Sequence, residues 1–367
     1  MFWSHWFPHP LRAAATIGLA WLAAQLFVWL GTPIPWMMGP LLATALVSVL
    51  GAPTVSWLAL RNGGQWVIGA ALGLYFTPVV GQWIVGLWWA IALGIAWALW
   101  LGLSFGRWLH RRHAADLGGG DAPEAQARWR CTTYFAGAIG GASEMTLIAE
   151  RHGARTDLVA SAHSLRVTLV TVTLPFVAQW WGVTGLDPAG LVSGPVRADG
   201  LAWLALWTGL GALVMHRLGR ANPWFMGALL VTMGISLSGV VLSALPPALT
   251  EWAQLLIGIS LGVRFRLSFV QAAPRWLASV ALASFSMMAL CAGFAWLMAQ
   301  LTGVPLVTLV LGTAPGGIAE MAITAKVLAL GVPIVTAFQV CRLVAVLVLA
   351  EPVYRWWVLR PSAQPPG

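Results

Sequence analysis

Long apolar runs, separated by short polar segments, recur along the chain from Leu11 to Trp357. A helix needs about 20 mainly apolar residues to cross a bilayer, whereas a barrel strand needs only about 9–11. The runs have helical length, and lipid offers the backbone no other hydrogen-bond partners, so we expect each run to form a helix. The pattern predicts an all-α polytopic membrane protein.

The polar positions inside these runs occur twice. The segment Gly-Gly-Ala-Ser-Glu-Met at 140–145 returns 176 residues later as Gly-Gly-Ile-Ala-Glu-Met at 316–321. Arg166 and Arg342 keep the same separation. Duplicated halves of this kind are typical of transporters. We predict a first membrane repeat at 1–182, an outer connecting loop at 183–199, a second, inverted repeat at 200–357 and a cytoplasmic tail at 358–367.

Basic residues predict how the halves are oriented. Loops between the apolar runs that are rich in arginine in one half match loops with little charge in the other half. Cytoplasmic loops of membrane proteins carry an excess of arginine and lysine, which is the positive-inside rule. Both halves satisfy this rule only if their topologies are opposite. We therefore expect two inverted-topology repeats, with the N-terminus and the C-terminus inside.

Inversion requires an odd number of crossings in each half. We therefore expect about five transmembrane helices plus one re-entrant or broken helix per repeat. A plain twelve-span bundle, in which the glycine motifs lie in full broken spans, stays open. In the first half the spans are predicted near 12–31, 34–51, 64–80, 82–106 and 157–182, with a hairpin at 131–149. In the second half they are predicted near 200–217, 222–241, 252–263, 276–301 and 333–357, with a hairpin at 305–326.

Composition excludes several classes of protein. Charged residues make up 8% of the chain, against about 25% in soluble domains. The net charge of +9 is spread over short loops, and the longest hydrophilic stretch, 106–130, is too short to fold alone, so nucleic acid is not an expected partner. The three cysteines and seven histidines show no metal-ligand spacing. We expect no metal, no cofactor and no enzyme activity.

Glu144 and Glu320 are the sharpest candidates for function, because each places a carboxylate within an apolar run. A carboxylate inside a membrane is costly and usually faces a cavity, a partner charge or an ion path. The preceding glycines let the backbone bend and approach a ligand closely. A helix broken there exposes amide groups that suit anions and carbonyl groups that suit cations.

Arg166 and Arg342 are the natural partners of these glutamates. If each arginine pairs with a glutamate, the charges hold helices together and the site accepts a neutral or zwitterionic solute. If the arginines are free, their forked guanidinium groups favour an anion. The predicted substrate- or ion-binding set comprises Gly140, Gly141, Ser143, Glu144, Arg166, Thr313, Gly316, Gly317, Glu320 and Arg342.

The duplicated motifs resemble those of the AbrB membrane-protein family. The resemblance is carried by Pro-Trp-Met-Met-Gly-Pro-Leu-Leu at 35–42 and by the glycine–glutamate motifs at 140–145 and 315–321, and it covers nearly the whole chain. Members carry an internal duplication and are labelled AbrB family transcriptional regulator, ammonia monooxygenase or transporter. The resemblance implies a multi-pass protein of the bacterial inner membrane.

These observations favour a secondary transporter of a small anionic or amphoteric solute by alternating access. The alternative is a membrane-embedded sensor that regulates gene expression through a partner without transport. The expected partners are the solute, the lipid bilayer and, where transport is driven, a coupling ion (H⁺ or Na⁺). The sequence does not decide whether the protein forms a homodimer.

Overall fold

The computed structural model describes residues 9–117, 122–181, 195–265 and 273–358. Within these ranges the regular secondary structure is helical throughout. The first half contains α1 (His9–Trp29), α2 (Pro35–Val49), α3 (Leu58–Gly73), α4 (Pro78–Gly86), α5 (Trp88–Leu117), α6 (Pro123–Gly137), α7 (Ala142–Arg151) and α8 (Thr156–Trp180). The second half contains α9 (Ala198–Arg217), α10 (Pro223–Leu237), α11 (Pro247–Gly262), α12 (Pro274–Thr302), α13 (Leu306–Thr313), α14 (Ile318–Val327) and α15 (Val332–Val353), with a π-helical turn at Tyr354–Val358.

Six helices in the described residues are long and apolar enough to cross a membrane, namely α1, α5, α8, α9, α12 and α15. Large apolar side chains also cover the outside of the molecule; Trp29, Trp180 and Leu22, for example, are exposed. An apolar exterior of this extent would aggregate in water but suits lipid. The predicted all-α membrane protein is therefore confirmed.

The described helices are less uniform than the ten full spans that the sequence predicts. Helices α2 and α10 have 15 residues each, or about 22 Å at 1.5 Å per residue, which is short of a bilayer core of about 30 Å. The span expected at 64–80 is broken between α3 and α4, which lie at 88° to each other. Proline accounts for the break: Pro78 begins α4, where its missing N–H costs nothing. The matching segment, 266–272, lies outside the described residues.

Both glycine motifs interrupt helices, as predicted. Helix α6 ends at Gly137 and α7 begins at Ala142, while α13 ends at Thr313 and α14 begins at Ile318. The two breaks lie at equivalent positions of the predicted repeats. They place free backbone groups inside an otherwise helical membrane protein.

The two halves meet through reciprocal contacts of crossing helices. A Cβ atom on Gly69 of α3 would collide with the Phe225 carbonyl of α10. A Cβ atom on Gly258 of α11 would collide with the Met37 carbonyl of α2. Gly258 is the counterpart of Gly69, and Met37 is the counterpart of Phe225. The halves therefore exchange equivalent contacts, and glycine is required because the backbones touch.

An unusual backbone conformation also recurs at matched positions. Ile34 precedes α2 with φ 49° and ψ 54°, and Asn222 precedes α10 with φ 50° and ψ 50°. Asparagine tolerates this left-handed region, whereas a β-branched residue rarely occupies it. Since the conformation is costly at Ile34, its recurrence supports the equivalence of the two helix starts.

Helices α8 and α15 lie inside the bundle. The most apolar window of each is 61% buried, compared with 28% for α1 and 22% for α9. Arg166 of α8 and Arg342 of α15 are therefore held in the interior, beside the two helix breaks. This placement defines the candidate site.

We predict that Gly69→Ala and Gly258→Ala each lower stability by about 1–3 kcal/mol, because a methyl group must displace a backbone carbonyl. The midpoint of thermal unfolding of the purified protein measures the effect. Gly234→Ala in α10 is the matched control, since a Cβ atom there meets open space. A control as destabilised as the two test variants would contradict the reciprocal packing.

Candidate functional site

Each helix break leaves two sets of backbone groups without helical partners. The ends of α6 and α13 and the start of α14 are buried, and the start of α7 is partly exposed. In a membrane interior such groups must be satisfied by the protein, because an unsatisfied group costs several kcal/mol. The charged side chains of the motif meet this requirement.

Arg342 satisfies the carbonyl end of α13. Its Nη1 donates to the carbonyls of Thr313 and Ala314, and its Nη2 donates to the Gly316 carbonyl over 3.0 Å. Nη2 also donates to Gln339 Oε1 over 2.6 Å. The positive charge therefore lies at the negative end of a half-helix.

Arg166 satisfies the carbonyl end of α6 in the same way. Its Nη2 donates to the Ala138 carbonyl over 2.9 Å, and its Nη1 lies 3.4 Å from each of the carbonyls of Ala136 and Gly137. His163 takes the place of Gln339: its Nδ1 accepts from Arg166 over 2.8 Å, and its Nε2 donates to the Phe135 carbonyl over 2.9 Å. Because a carbonyl only accepts and Arg166 only donates, His163 is the neutral Nε2–H tautomer.

The glutamates lie at the other end of each break. Gly141 and Gly317 precede the first residues of α7 and α14, so Glu144 and Glu320 occupy the third helical position. Each carboxylate folds back onto its glycine so closely that a Cβ atom there would collide with it. Negative charge is thereby placed beside the positive end of a helix.

Neither arginine forms an ion pair with a glutamate of the motif in the described residues. The hypothesis that Arg166 and Arg342 neutralise Glu144 and Glu320 is therefore wrong in this structure. The physical reason is that each group already interacts with the backbone beside it. The arginines donate hydrogen bonds to free carbonyls, and the glutamate carboxylates lie against the helix N-termini. A single aligned pair would have left both sets of backbone groups unsatisfied.

The two breaks face a common cavity of about 100 Å³. A water molecule needs roughly 10–15 Å³ of such space, so the cavity holds several waters or one small solute. Of the predicted site residues, Arg166 and Thr313 lie outside its lining; Thr313 instead bonds the Leu309 carbonyl through its hydroxyl. The predicted residues that line it are Gly140, Gly141, Ser143, Glu144, Gly316, Gly317, Glu320 and Arg342.

Sequence reasoning missed four polar residues of the lining: Arg61, Gln65, Asn222 and Arg264. Arg61 and Arg264 were assigned to cytoplasmic loops, because arginine near a span end usually marks such a loop. One feature of the sequence could have indicated that Arg61 lines a site. It lies one turn before Gln65, a polar residue within an apolar run that is repeated at Gln254. Both arginines are half-buried.

The two ends of the cavity differ in exposure. Asn222 and Arg264 line the cavity and are half-buried, and we call the end that they line the open end. Their counterparts in the other half, Ile34 and Tyr75, are buried in the main hydrophobic core. A wider depression of about 630 Å³ adjoins the open end between α7 and α8 and shares Ser143 and Arg264 with the cavity. Access is therefore asymmetric although the contacts between the halves are reciprocal.

Within the described residues no group of three or more histidine, cysteine, aspartate or glutamate side chains is placed to hold a metal ion. The cavity offers guanidinium, carboxylate, amide and hydroxyl groups together with the backbone of two glycine turns. Groups of these kinds suit a small polar solute, through hydrogen bonds and charge. The expectation that the protein is no enzyme stays a prediction.

Comparison with known proteins identifies the family. A family model described as "Transition state regulatory protein AbrB" matches residues 36–358. The chain belongs to the AbrB family. It is 27% identical over 355 residues, 89% of this chain and 88% of the relative, to "Uncharacterized protein YhjN" of Bacillus subtilis (strain 168). It is also 28% identical over 224 residues, 59% of this chain and 63% of the relative, to "Putative regulator AbrB" of Escherichia coli (strain K12).

The carbonyl-binding role of Arg342 predicts the outcome of a double substitution. Arg342→Gln leaves the end of α13 without charged donors and should cost about 3 kcal/mol or more. Adding Glu320→Gln should not restore stability, since the carboxylate is not the partner of the guanidinium. Thermal melts of the two single variants and of the double variant measure this.

Arg355→Gln is the control, because its ion pair with Glu351 is on the surface and is worth at most about 1 kcal/mol. Recovery of stability in the Glu320→Gln, Arg342→Gln double variant would show that the two charges pair after all.

Proposed function

We propose that this AbrB family protein is a secondary transporter that moves a small anionic or amphoteric solute across the bacterial inner membrane by alternating access. The observation that carries the proposal is the meeting of two matched helix breaks, one from each half, at one cavity. Transporters commonly bind solutes between broken helices of inverted repeats.

The repeats are inverted in this proposal, with both termini in the cytoplasm. Its support is the distribution of arginines between matching loops and the crossing of α3 and α11, where Gly64 lies against the Ala253 carbonyl. The open end of the cavity, marked by Arg61, Asn222 and Arg264, then faces the cytoplasm. In this proposal the structure is an inward-open state.

The outward-open state follows from the repeat relationship. Exchange of the conformations of the two halves would bury Asn222 and Arg264 and open the face that Ile34 and Tyr75 now close. The glycine contacts between α3 and α10 and between α2 and α11 stay equivalent under this exchange, so they suit a scaffold around which the broken helices rock. The two glutamates stay beside the solute in both states.

Ionisation of the glutamates is expected to matter for transport. A proton or Na⁺ ion bound at Glu144 or Glu320 changes the charge on a helix N-terminus beside the cavity, which couples ion binding to solute binding. The coupling ion is H⁺ or Na⁺ in this proposal. Release of the solute on either side would then depend on the charge state of these carboxylates.

We predict that Glu144→Gln and Glu320→Gln each abolish solute flux while the protein remains folded, because glutamine keeps the shape of the side chain and loses its charge. The solute is chosen as the compound that most raises the melting temperature in a screen of small carboxylates, phosphates and amino acids. Flux of that radiolabelled compound is then measured in proteoliposomes.

Glu124→Gln is the control, since Glu124 is exposed on α6 and distant from the breaks in sequence. Normal flux in both test variants would exclude the two carboxylates from transport. A chosen compound that binds but never crosses the vesicle membrane, even in the unaltered protein, would favour a sensor over a transporter.

A further inference from the structure

We propose that Arg61 and Arg264 form an oxyanion clamp at the open end of the cavity, so that the solute carries a carboxylate or phosphate group. The inference deepens the proposed function and rests on it, because it takes the cavity to be the solute site. It concerns two residues that lie outside the glycine–glutamate motifs.

The two arginines come from different halves of the chain and meet at one opening. Arg61 lies in the first turn of α3 and Arg264 follows the end of α11. Both line the cavity, and the two positive charges are near enough to repel each other. In the described residues neither side chain has a hydrogen bond or an ion pair.

Two half-buried like charges without an ion-pair partner repel each other, and a bound anion would relieve that repulsion. Arg264 is influenced electrostatically by Glu144 and Glu320, but those carboxylates are held against the starts of α7 and α14. The guanidinium forks are therefore unused. Their geometry suits the bidentate oxygens of a carboxylate or phosphate, which bridge two arginines well.

The charge balance of the cavity favours an anion over a cation. Three arginines line it, namely Arg61, Arg264 and Arg342, against two glutamates. The charges of the glutamates are offset by the positive ends of two helices, and that of Arg342 is offset by helix carbonyls. Glu320 attracts both Arg61 and Arg264, but three arginines against two glutamates leave the lining with an excess of positive charge.

Binding at this position also explains how the solute would close its own entrance. An oxyanion between Arg61 and Arg264 links the start of α3 to the end of α11, the two elements that border the opening. Arg264 also lines the adjoining depression, so a solute entering from that side passes this residue first. Neutralising the repulsion removes the obstacle to closure.

The competing explanation is that both arginines only mark the cytoplasmic side, as basic residues near span ends do. Arg220 offers the matched comparison. It lies two residues before Asn222, on the same connecting segment, but is exposed and does not line the cavity. Loss of its charge changes the surface in the same way without changing the cavity.

The experiment measures the melting temperature of the purified full chain with acetate, succinate, inorganic phosphate or sulfate, against chloride at equal ionic strength. The expected result is stabilisation by at least one of these oxyanions. Arg61→Gln and Arg264→Gln should each weaken its affinity by about tenfold or more, which is the loss of one charge-assisted hydrogen bond. Arg264→Lys should retain part of the affinity, and Arg220→Gln should retain all of it.

The variants should fold with little change in the unliganded melting temperature, because removal of one arginine ends both its repulsion with the other arginine and its attraction to Glu320. The clamp is overturned if no oxyanion stabilises the protein beyond chloride, or if Arg220→Gln weakens binding as much as the two cavity variants do. Oxyanion binding without flux would overturn transport and leave the clamp in place. Flux of a neutral or cationic solute without oxyanion binding would overturn the clamp and leave transport in place.

Discussion

The structure depends on the satisfaction of backbone groups where two helices break inside an apolar bundle. Lipid cannot hydrogen-bond a free carbonyl or amide, so every group released at a break needs a partner from the protein. Arg166 and Arg342 supply donors to the carbonyl ends of α6 and α13. Glu144 and Glu320 place negative charge on the starts of α7 and α14. Each break is thus charged at both ends, with opposite signs.

This arrangement explains why the motif has its residue types. A glycine is needed before each helix start because the carboxylate occupies the space of a Cβ atom. The buried residue one turn before each arginine must accept a hydrogen bond from it, which neutral His163 and Gln339 both do. Three of these four charged groups, Glu144, Glu320 and Arg342, also line the cavity between the halves. Groups that stabilise the breaks therefore also form part of the candidate site.

Much of this could be predicted from the sequence, and the reasons for the remainder are physical. The helical membrane class follows from run lengths, and the breaks follow from the glycine pairs at 140–141 and 316–317. The hydrogen-bond partners of Arg166 and Arg342 could not be predicted, because they are backbone carbonyls. Every residue has a carbonyl, so a sequence pattern does not indicate which of them accepts. The helix break before Pro78 was missed because the apolar run continues through it.

The arginines of the cavity were missed for a different reason. A basic residue near the end of an apolar run reads as a loop residue, and only tertiary packing brings Arg61 and Arg264 to one opening. The crossing of α3 and α11, where Gly64 lies against the Ala253 carbonyl, contributes to that packing. Which end of the cavity is exposed and which is buried likewise follows only from comparing matched residues, such as Asn222 and Ile34, in the folded chain.

The most direct test is thiol labelling of Ser143→Cys and Ala319→Cys on a cysteine-free background in oriented membrane vesicles. These positions line the cavity from the two different breaks. With a small membrane-impermeant methanethiosulfonate, both should react from the cytoplasmic face, and modification of one should slow modification of the other when they are combined. Reaction from opposite faces, or independent reaction in the double variant, would contradict a single cavity shared by the two breaks.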